Sequence, residues 1–183
     1  MSRIALPHPQ TATGKLKASF DAIRARFGTV PNGLQAMGAS PEALHGFLEF
    51  STSLAAGSIT RAERERIAVL TAQRNECGYC LSAHTLGGRA AGLTEVELRA
   101  SRKGFADEPR AAALLRLADA VIEHRGNIPD TELAAARNAG LTDSEVVEVV
   151  AEVSLNTFTN YLNRLVHPEF DIPRVSMDED AVA

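Results

Sequence analysis

The chain has 183 residues, of which 45% are hydrophobic and 23% are charged, and its formal net charge is −4. This composition is typical of a globular protein with enough chain to bury a sizeable core. The lack of a basic cluster argues against a nucleic-acid partner or an anionic membrane surface. The first residues, from Met1 to Pro7, contain no long apolar run, so we expect neither a signal peptide nor a membrane span.

The pattern along the chain predicts helices throughout, because strand-like alternation is absent and Ala, Leu, Arg and Glu dominate. Thr60, Thr94 and Thr142 are each followed three residues later by Glu, which is the signature of a capping box at a helix start. We predict an all-α fold of eight to nine helices, with a single domain over residues 1–183 and a flexible tail over 168–183. The predicted helices cover residues 13–27, 31–37, 41–56, 60–75, 77–91, 94–102, 109–125, 130–139 and 142–166.

The two cysteines of the chain, Cys77 and Cys80, lie three residues apart, and His84 follows one turn later. On a helix these three positions share one face, so two sulfurs and an imidazole converge. Cα atoms three apart lie roughly 5–6 Å from each other, within the range that a disulfide accepts. In a reducing compartment such a pair is expected to be catalytic or metal-binding rather than a structural crosslink.

Two further residues join this face as candidate proton-transfer groups. His84 is placed to hydrogen-bond the Cys80 thiol and take its proton. Glu65 lies in the preceding helix on a stripe of small apolar residues, where a partly desolvated carboxylate suits a general base near neutral pH. The alternative for Glu65 is an exposed carboxylate paired with Arg61, and the residues alone do not decide between the two.

Other polar and small residues near this face carry weaker signals. Gly87 and Gly88 continue the cysteine–histidine face and predict a close approach of a neighbouring helix. Asn156, Asn160 and Asn163 form a polar stripe on the last helix, which faces the site, a partner subunit or solvent.

Two segments resemble a known family: residues 64–70, Arg-Glu-Arg-Ile-Ala-Val-Leu, and residues 75–84, Asn-Glu-Cys-Gly-Tyr-Cys-Leu-Ser-Ala-His. With the motif E-x11-C-x-x-C-x-x-x-H, they resemble the carboxymuconolactone decarboxylase superfamily and, within it, the AhpD-like alkylhydroperoxidases. The resemblance is strongest over about residues 45–125, and the stretch from Asn160 to Arg164 is similar to that of the longer, peroxidase-related members. Tyr79 is a departure, since some AhpD members carry His immediately before the second cysteine.

The resemblance implies an AhpD-like helical bundle that forms homo-oligomers, as trimers or assemblies of trimers, and reduces hydroperoxides without haem, flavin or metal. It implies that Cys80 attacks the peroxide, Cys77 resolves the product, and His84 and Glu65 relay the proton. The N-terminal end of a helix favours Cys77 as the thiolate instead, but a terminal dipole contributes only about 0.3–1 kcal/mol at an exposed site. We therefore predict Cys80 as the nucleophile. The lactone decarboxylases of the superfamily lack this cysteine pair, which argues against that activity here.

We predict a cytoplasmic, thiol-dependent peroxidase with no cofactor, a hydroperoxide substrate and an external dithiol or redoxin as reductant. Three alternatives stay open. Cys77, Cys80, His84 and Glu65 could ligate zinc. The cysteine pair could be a non-enzymatic redox sensor whose disulfide changes the assembly, or it could serve a general disulfide reductase.

Overall fold

The computed structural model describes residues 2–178, and nine α-helices and no strand lie within them. The prediction of an all-α fold is confirmed over these residues, and each helix end falls within one residue of its predicted position. The helices are α1 (Gly14–Phe27), α2 (Asn32–Met37), α3 (Pro41–Ala55), α4 (Arg61–Arg74), α5 (Gly78–Ala90), α6 (Glu95–Arg102), α7 (Pro109–His124), α8 (Asp130–Asn138) and α9 (Asp143–Val166).

Local sequence signals set these helix ends. At the starts of α4, α6 and α9 the threonine hydroxyl accepts from the backbone N–H three residues on, and the glutamate there accepts from the threonine N–H. Pro41 and Pro109 occupy the first position of α3 and α7, where a missing N–H costs nothing. Gly28, at the end of α1, adopts a φ of 78°, a conformation that favours glycine.

Helix α4 lies at the centre of the bundle and packs against α5, α6, α7 and α9. Its second half is buried on every side, from Ile67 to Ala72. Ile67 and Leu70 face a core shared with α7, α8 and α9, whereas Val69 and Ala72 face a second core shared with α5 and α6. The second core contains both cysteines, so α4 supplies the wall on which the cysteine pair rests.

The segment after α9, predicted to be flexible from residue 168, is non-helical through residue 178 but packs against the second core. Phe170, Ile172, Val175 and Met177 contact that core. The Val175 N–H donates to Ser82 Oγ at 2.9 Å, and the Arg102 guanidinium donates to the Met177 carbonyl at 3.1 Å. Residues 179–183, the rest of the predicted tail, lie outside the described residues.

Among residues 2–178, no helix combines the length and the apolar composition needed to cross a membrane.

Candidate active site

A tight turn between α4 and α5 positions the cysteine pair. The Cys77 N–H donates to the Ala72 carbonyl at 2.9 Å and the Glu76 N–H donates to the Gln73 carbonyl at 3.1 Å, which together form a Schellman motif. Glu76 occupies the left-handed position of this motif, with a φ of 53°, although glycine is usual there. Its carboxylate contacts Arg164 of α9 at 3.2 Å, so the turn is tied to α9 as well.

Cys77 is the N-cap residue of α5, and its sulfur accepts from the Cys80 N–H at 3.4 Å. The two Sγ atoms lie 2.8 Å apart, and both thiols are free. The exposed fractions of Cys77 and Cys80 are 2% and 3%, so the pair is shielded from solvent. This geometry permits a disulfide with little backbone movement, as the spacing predicted.

The surroundings of Cys80 favour its thiolate. A hydrogen bond from the Cys77 thiol lowers the pKa of Cys80 to about 6, against the opposing effect of burial. The amides of Asn163 and Asn160 and the charge of His84 act in the same direction. Asn163 Nδ2 donates to Cys80 Sγ at 3.3 Å.

Cys77 behaves in the opposite way. Its hydrogen bond to Cys80 and its burial raise the pKa of Cys77 above its ordinary value. These surroundings favour Cys80 over the helix-terminal Cys77 as the thiolate, and the identity of the nucleophile stays a prediction. A buried pair shares one proton, and Cys80 has the additional donors that hold the negative charge.

His84 and Glu65 form a hydrogen-bonded pair beside the cysteines. His84 Nδ1 lies 2.9 Å from Glu65 Oε2, and the exposed fractions of the two side chains are 30% and 21%. Burial lowers the pKa of His84, but the hydrogen bond and charge of Glu65 outweigh it and raise the pKa above its ordinary value. Glu65 thus bonds His84 rather than Arg61. Among the hydrogen bonds of residues 2–178, none joins His84 to Cys80, so the direct contact predicted between them is replaced by an electrostatic one.

Gly87 provides the space for this pair. A Cβ at position 87 would lie 2.7 Å from Glu65 Oε1, closer than real contacts allow. The predicted close approach at Gly88 is also found, against Leu98 of α6.

A cavity of about 110 Å³ opens on the far side of the His84–Glu65 pair. Its walls come from α1, α3, α4, α5 and α9, and they combine apolar residues such as Phe47 and Leu155 with charged ones. Glu152 of α9 lies in this wall, buried, with Arg64 at 3.7 Å. Burial raises the pKa of Glu152 to about 7, although Arg64 and His84 act in the opposite direction. Three titratable groups, Glu65, His84 and Glu152, therefore line one cavity.

Helix α9 supplies polar residues that the sequence analysis left open between the site, a partner subunit and solvent. Asn156, Asn160 and Asn163 are all buried, so the interpretation of a solvated polar stripe is wrong and the interpretation of a site-facing stripe holds. Glu152 was missed, although it lies one turn before Asn156 on the same stripe, and that spacing was the available signal.

Tyr79, which stands where some relatives have His, anchors the segment after α9. Its hydroxyl donates to Asp171 Oδ1 at 2.8 Å and accepts from the Gly33 N–H at 3.1 Å, and its ring meets that of Phe170 edge-on. A Cβ at Gly33 would lie 2.8 Å from the Tyr79 ring, so glycine lets α2 reach this site.

The predicted zinc ligands do not converge in the way that metal ligands do. Within the described part of the chain, no three His, Cys, Asp or Glu side chains form a metal-binding group. His84 directs Nδ1 to Glu65, whereas the two sulfurs face each other.

The fold and the site together define an AhpD-like helical bundle that carries a buried thiol pair. The family model described as "Carboxymuconolactone decarboxylase family" matches residues 41–120 of the chain. None of the curated proteins is significantly similar to the chain.

Solved structures share the fold over nearly the whole chain. A peroxidase-related protein with an alkylhydroperoxidase AhpD core from Ralstonia eutropha JMP134 is 23% identical, with a TM-score of 0.83 over 92% of this chain and 91% of that one. A peroxidase-related protein from Silicibacter sp. TM1040 is 20% identical, with a TM-score of 0.80 over 98% and 94%. The debrominase Bmp8 is 17% identical, with a TM-score of 0.78 over 92% of each chain. The fold therefore accommodates more than one activity.

Proposed function

We propose that this protein is a thiol-dependent peroxidase that reduces hydroperoxides through Cys80 and Cys77. The observation that carries the proposal is the asymmetric setting of the pair, in which Cys80 Sγ lies 2.8 Å from Cys77 Sγ and also accepts from Asn163 Nδ2 at 3.3 Å. Such a pair holds a nucleophile and a resolving thiol in one place.

The reaction begins when the Cys80 thiolate attacks the distal oxygen of a hydroperoxide. The sulfur–oxygen bond forms as the oxygen–oxygen bond breaks, which leaves Cys80 as a sulfenic acid. The alkoxide leaving group takes a proton from His84, which Glu65 holds by its Nδ1 atom. Cys77 then attacks the sulfenic sulfur, a disulfide forms, and water leaves with the Cys77 proton. An external dithiol or redoxin reduces the disulfide by exchange.

The cavity beside His84 supports binding of a small substrate next to the proton donor. A hydroperoxide in it would meet the imidazole, Glu65 and Glu152, whereas neither cysteine lines this cavity, so the substrate must pass His84 to reach Cys80. The buried position of both sulfurs favours a small oxidant over a protein disulfide, which supports a peroxidase over a general disulfide reductase. Since the cycle starts from the reduced pair, we assign the protein to the cytoplasm, where thiols are kept reduced.

We also propose that the protein is a homo-oligomer, a trimer or an assembly of trimers. Helix α9 exposes an apolar stripe of Val147, Val150, Phe158, Tyr161 and Leu165. These residues share one face of the helix, with only Ser154 between Val150 and Phe158. An exposed apolar stripe of this kind marks an interaction surface, and a second copy of this chain is its proposed occupant. Tyr161→Glu should reduce the mass measured by light scattering, whereas Val96→Glu, on an equally exposed valine of α6, should not. An unchanged mass in Tyr161→Glu argues against this surface.

The activity is tested by adding hydroperoxide to pre-reduced protein and counting both peroxide consumed and free thiols lost. The wild type should consume about one peroxide for each pair of thiols lost, and Cys80→Ser should consume none. His84→Ala should slow the reaction, whereas His45→Ala, on an exposed histidine of α3, should not. No loss of free thiols in the wild type after hydroperoxide is added would contradict the proposal. Oxidation that changes the assembly while turnover stays negligible would favour the redox sensor instead.

A further inference from the structure

Two polar atoms beside Cys80 are buried without a hydrogen-bond partner among the described residues. They are Asn160 Nδ2 and Asn163 Oδ1, and Asn160 is 0% exposed. A buried donor left without an acceptor costs about 1–3 kcal/mol, and folded proteins tolerate few of them. An unpaired N–H at the edge of a reactive sulfur therefore points to an acceptor that is present only at another stage of the reaction.

The orientation of the Asn160 amide is fixed by its neighbours. Asn75 Nδ2 donates to Asn160 Oδ1 at 3.0 Å, so the oxygen end of this amide is occupied and the N–H end faces away from Asn75. Asn75 is itself held in place, because its carbonyl accepts from Arg164 Nη1 at 2.8 Å. The Asn160 amide cannot turn to satisfy its free N–H without breaking the bond from Asn75.

The free N–H lies next to the reactive sulfur. Asn160 and Asn163 are three residues apart on α9, so their amides lie on one face of that helix. Asn163 already donates to Cys80 Sγ at 3.3 Å, and a hydrogen-bonding contribution from Asn160 also lowers the pKa of Cys80. Asn163 thus donates to the sulfur at hydrogen-bond distance, whereas the Asn160 N–H acts on the sulfur from outside that distance and meets no acceptor within it among the described residues.

We propose that Asn160 Nδ2 is the binding site for the oxygen atom that the hydroperoxide transfers to Cys80. This inference rests on the proposed peroxidase function. As the sulfur–oxygen bond forms and the alkoxide leaves with a proton from His84, the transferred oxygen comes to lie beside the sulfur and accepts from Asn160. The same bond stabilises this oxygen as it departs as water, when Cys77 attacks the sulfur and gives up its proton. Asn160 is in this sense a catalytic residue. Asn75 is a positioning residue, because its bond to Asn160 Oδ1 fixes the orientation of the Asn160 amide.

Asn160 and Asn163 are expected to affect the reaction differently. Loss of the Asn163 donor removes a bond to the thiolate, so it should raise the pKa of Cys80. Loss of the Asn160 donor should slow oxygen transfer even where the thiolate is fully formed, because Asn160 gains an acceptor at full hydrogen-bond distance only once oxygen is present. Removing one preorganised donor to a developing oxyanion typically costs about 100-fold to 1,000-fold in rate. We expect a smaller effect here, about tenfold or more, since the transferred oxygen keeps its proton and the negative charge develops on the leaving alkoxide.

The experiment compares two reactions of Cys80 in Asn160→Ala at about pH 8, above the pKa of Cys80. One is the oxidation of pre-reduced protein by hydrogen peroxide, followed in a single turnover. The other is alkylation by iodoacetamide, which transfers no oxygen, followed by mass spectrometry of the Cys80 peptide. Asn160→Ala should lower the peroxide rate about tenfold or more and change the alkylation rate less than about twofold.

Asn160→Leu, of nearly the same size, and Asn75→Ala, which frees the Asn160 amide, provide second variants if Asn160→Ala does not fold. Both should lower the ratio of the peroxide rate to the alkylation rate, and Asn75→Ala should do so to a smaller degree. Equal losses in both reactions would overturn the inference, since Asn160 would then act only on the position or charge of the sulfur. An unchanged peroxide rate would overturn it as well. A wild type that is alkylated but does not react with peroxide would refute the peroxidase function itself. Failure of the peroxidase function can therefore be distinguished from failure of the inference about Asn160.

Discussion

Replacement of Glu152 by glutamine should stabilise the protein, and the gain should grow with pH. Glu152 is buried in the wall of the cavity, and Arg64 is its nearest cation, at 3.7 Å. Burial raises the pKa of this carboxyl to about 7 from an ordinary value of 4.5. Between these two values the unfolded chain ionises and the folded protein resists ionisation, so the folded state binds more protons. Stability therefore falls as pH rises through this window. Glutamine has no proton to lose and escapes this penalty.

The size of the effect follows from the two pKa values. Each pKa unit is worth about 1.4 kcal/mol, so the full penalty is about 3 kcal/mol once the pH exceeds both values. Most of it, about 2 kcal/mol, should develop between about pH 5 and pH 8. For a chain of this size, that corresponds to about 4–8 °C in Tm.

The assay is urea denaturation followed by circular dichroism, at a fixed protein concentration and at both pH values. Glu49→Gln makes the same chemical change at an exposed position on α3 and serves as the matched control. The free energy of unfolding of Glu152→Gln should exceed that of the wild type by more at pH 8 than at pH 5, and Glu49→Gln should show no such trend. A difference between Glu152→Gln and the wild type that is the same at both pH values, or that shrinks with pH, would refute the reasoning.

Three further predictions concern the thiols and their surroundings. Gly87→Ala should displace the Glu65 carboxylate and slow peroxide-dependent thiol loss severalfold. Gly46→Ala, where a Cβ meets nothing within 4 Å, should not slow it. Equal rates in both variants would contradict the role of the His84–Glu65 pair. Alkylation of the reduced wild type should modify Cys80 before Cys77. The rate should fall as the pH drops below a midpoint near 6, because the Cys80 thiolate is then protonated. Cys77→Ala should move this midpoint upward, because it removes the principal hydrogen-bond donor to Cys80. Preferential modification of Cys77 in peptide mass spectra would reverse the assignment of nucleophile. Phe170→Ala should loosen the segment after α9 and speed reduction of the oxidised pair by dithiothreitol severalfold, and an unchanged rate would show that this segment does not control access.

The sequence predicted the close approach of Cys77 and Cys80 because the geometry there is local, whereas the hydrogen bond predicted from His84 to Cys80 is not found among the described residues. Cys77, Cys80 and His84 lie within two turns of one helix, and Glu65 lies in the helix just before it. Helical periodicity and a short turn are then enough to bring these groups together. These rules did not predict the Schellman motif between α4 and α5. Glu76, rather than glycine, occupies its left-handed position, so the sequence lacks the usual glycine signal for it.

The contribution of α9 was predicted only as one of three alternatives, because the second half of this helix is patterned against the usual rule. Its amides, at Asn156, Asn160 and Asn163, are buried, while Phe158 and Tyr161 are exposed. Hydrophobic periodicity assigns the apolar side of a helix to the core and therefore predicts the reverse. A helix can be inverted in this way when its polar side serves a buried site and its apolar side meets another surface, and neither condition is visible before the helices are packed.

Burial of the cysteine pair means that the two halves of the proposed cycle require different access to it. A hydroperoxide is small and can enter through the cavity beside His84, where the proton donor already stands. A dithiol must place its own sulfur in line with the Cys77–Cys80 bond, and that bond lies under Phe170 and Met177. The segment is held by hydrogen bonds that involve Tyr79, Ser82 and Arg102 and by apolar contacts with the second core, and these must break for the segment to open. In the proposed cycle, burial of Cys80 therefore makes opening of the segment after α9 a step in reduction, and we expect a variant that loosens this segment to be reduced faster.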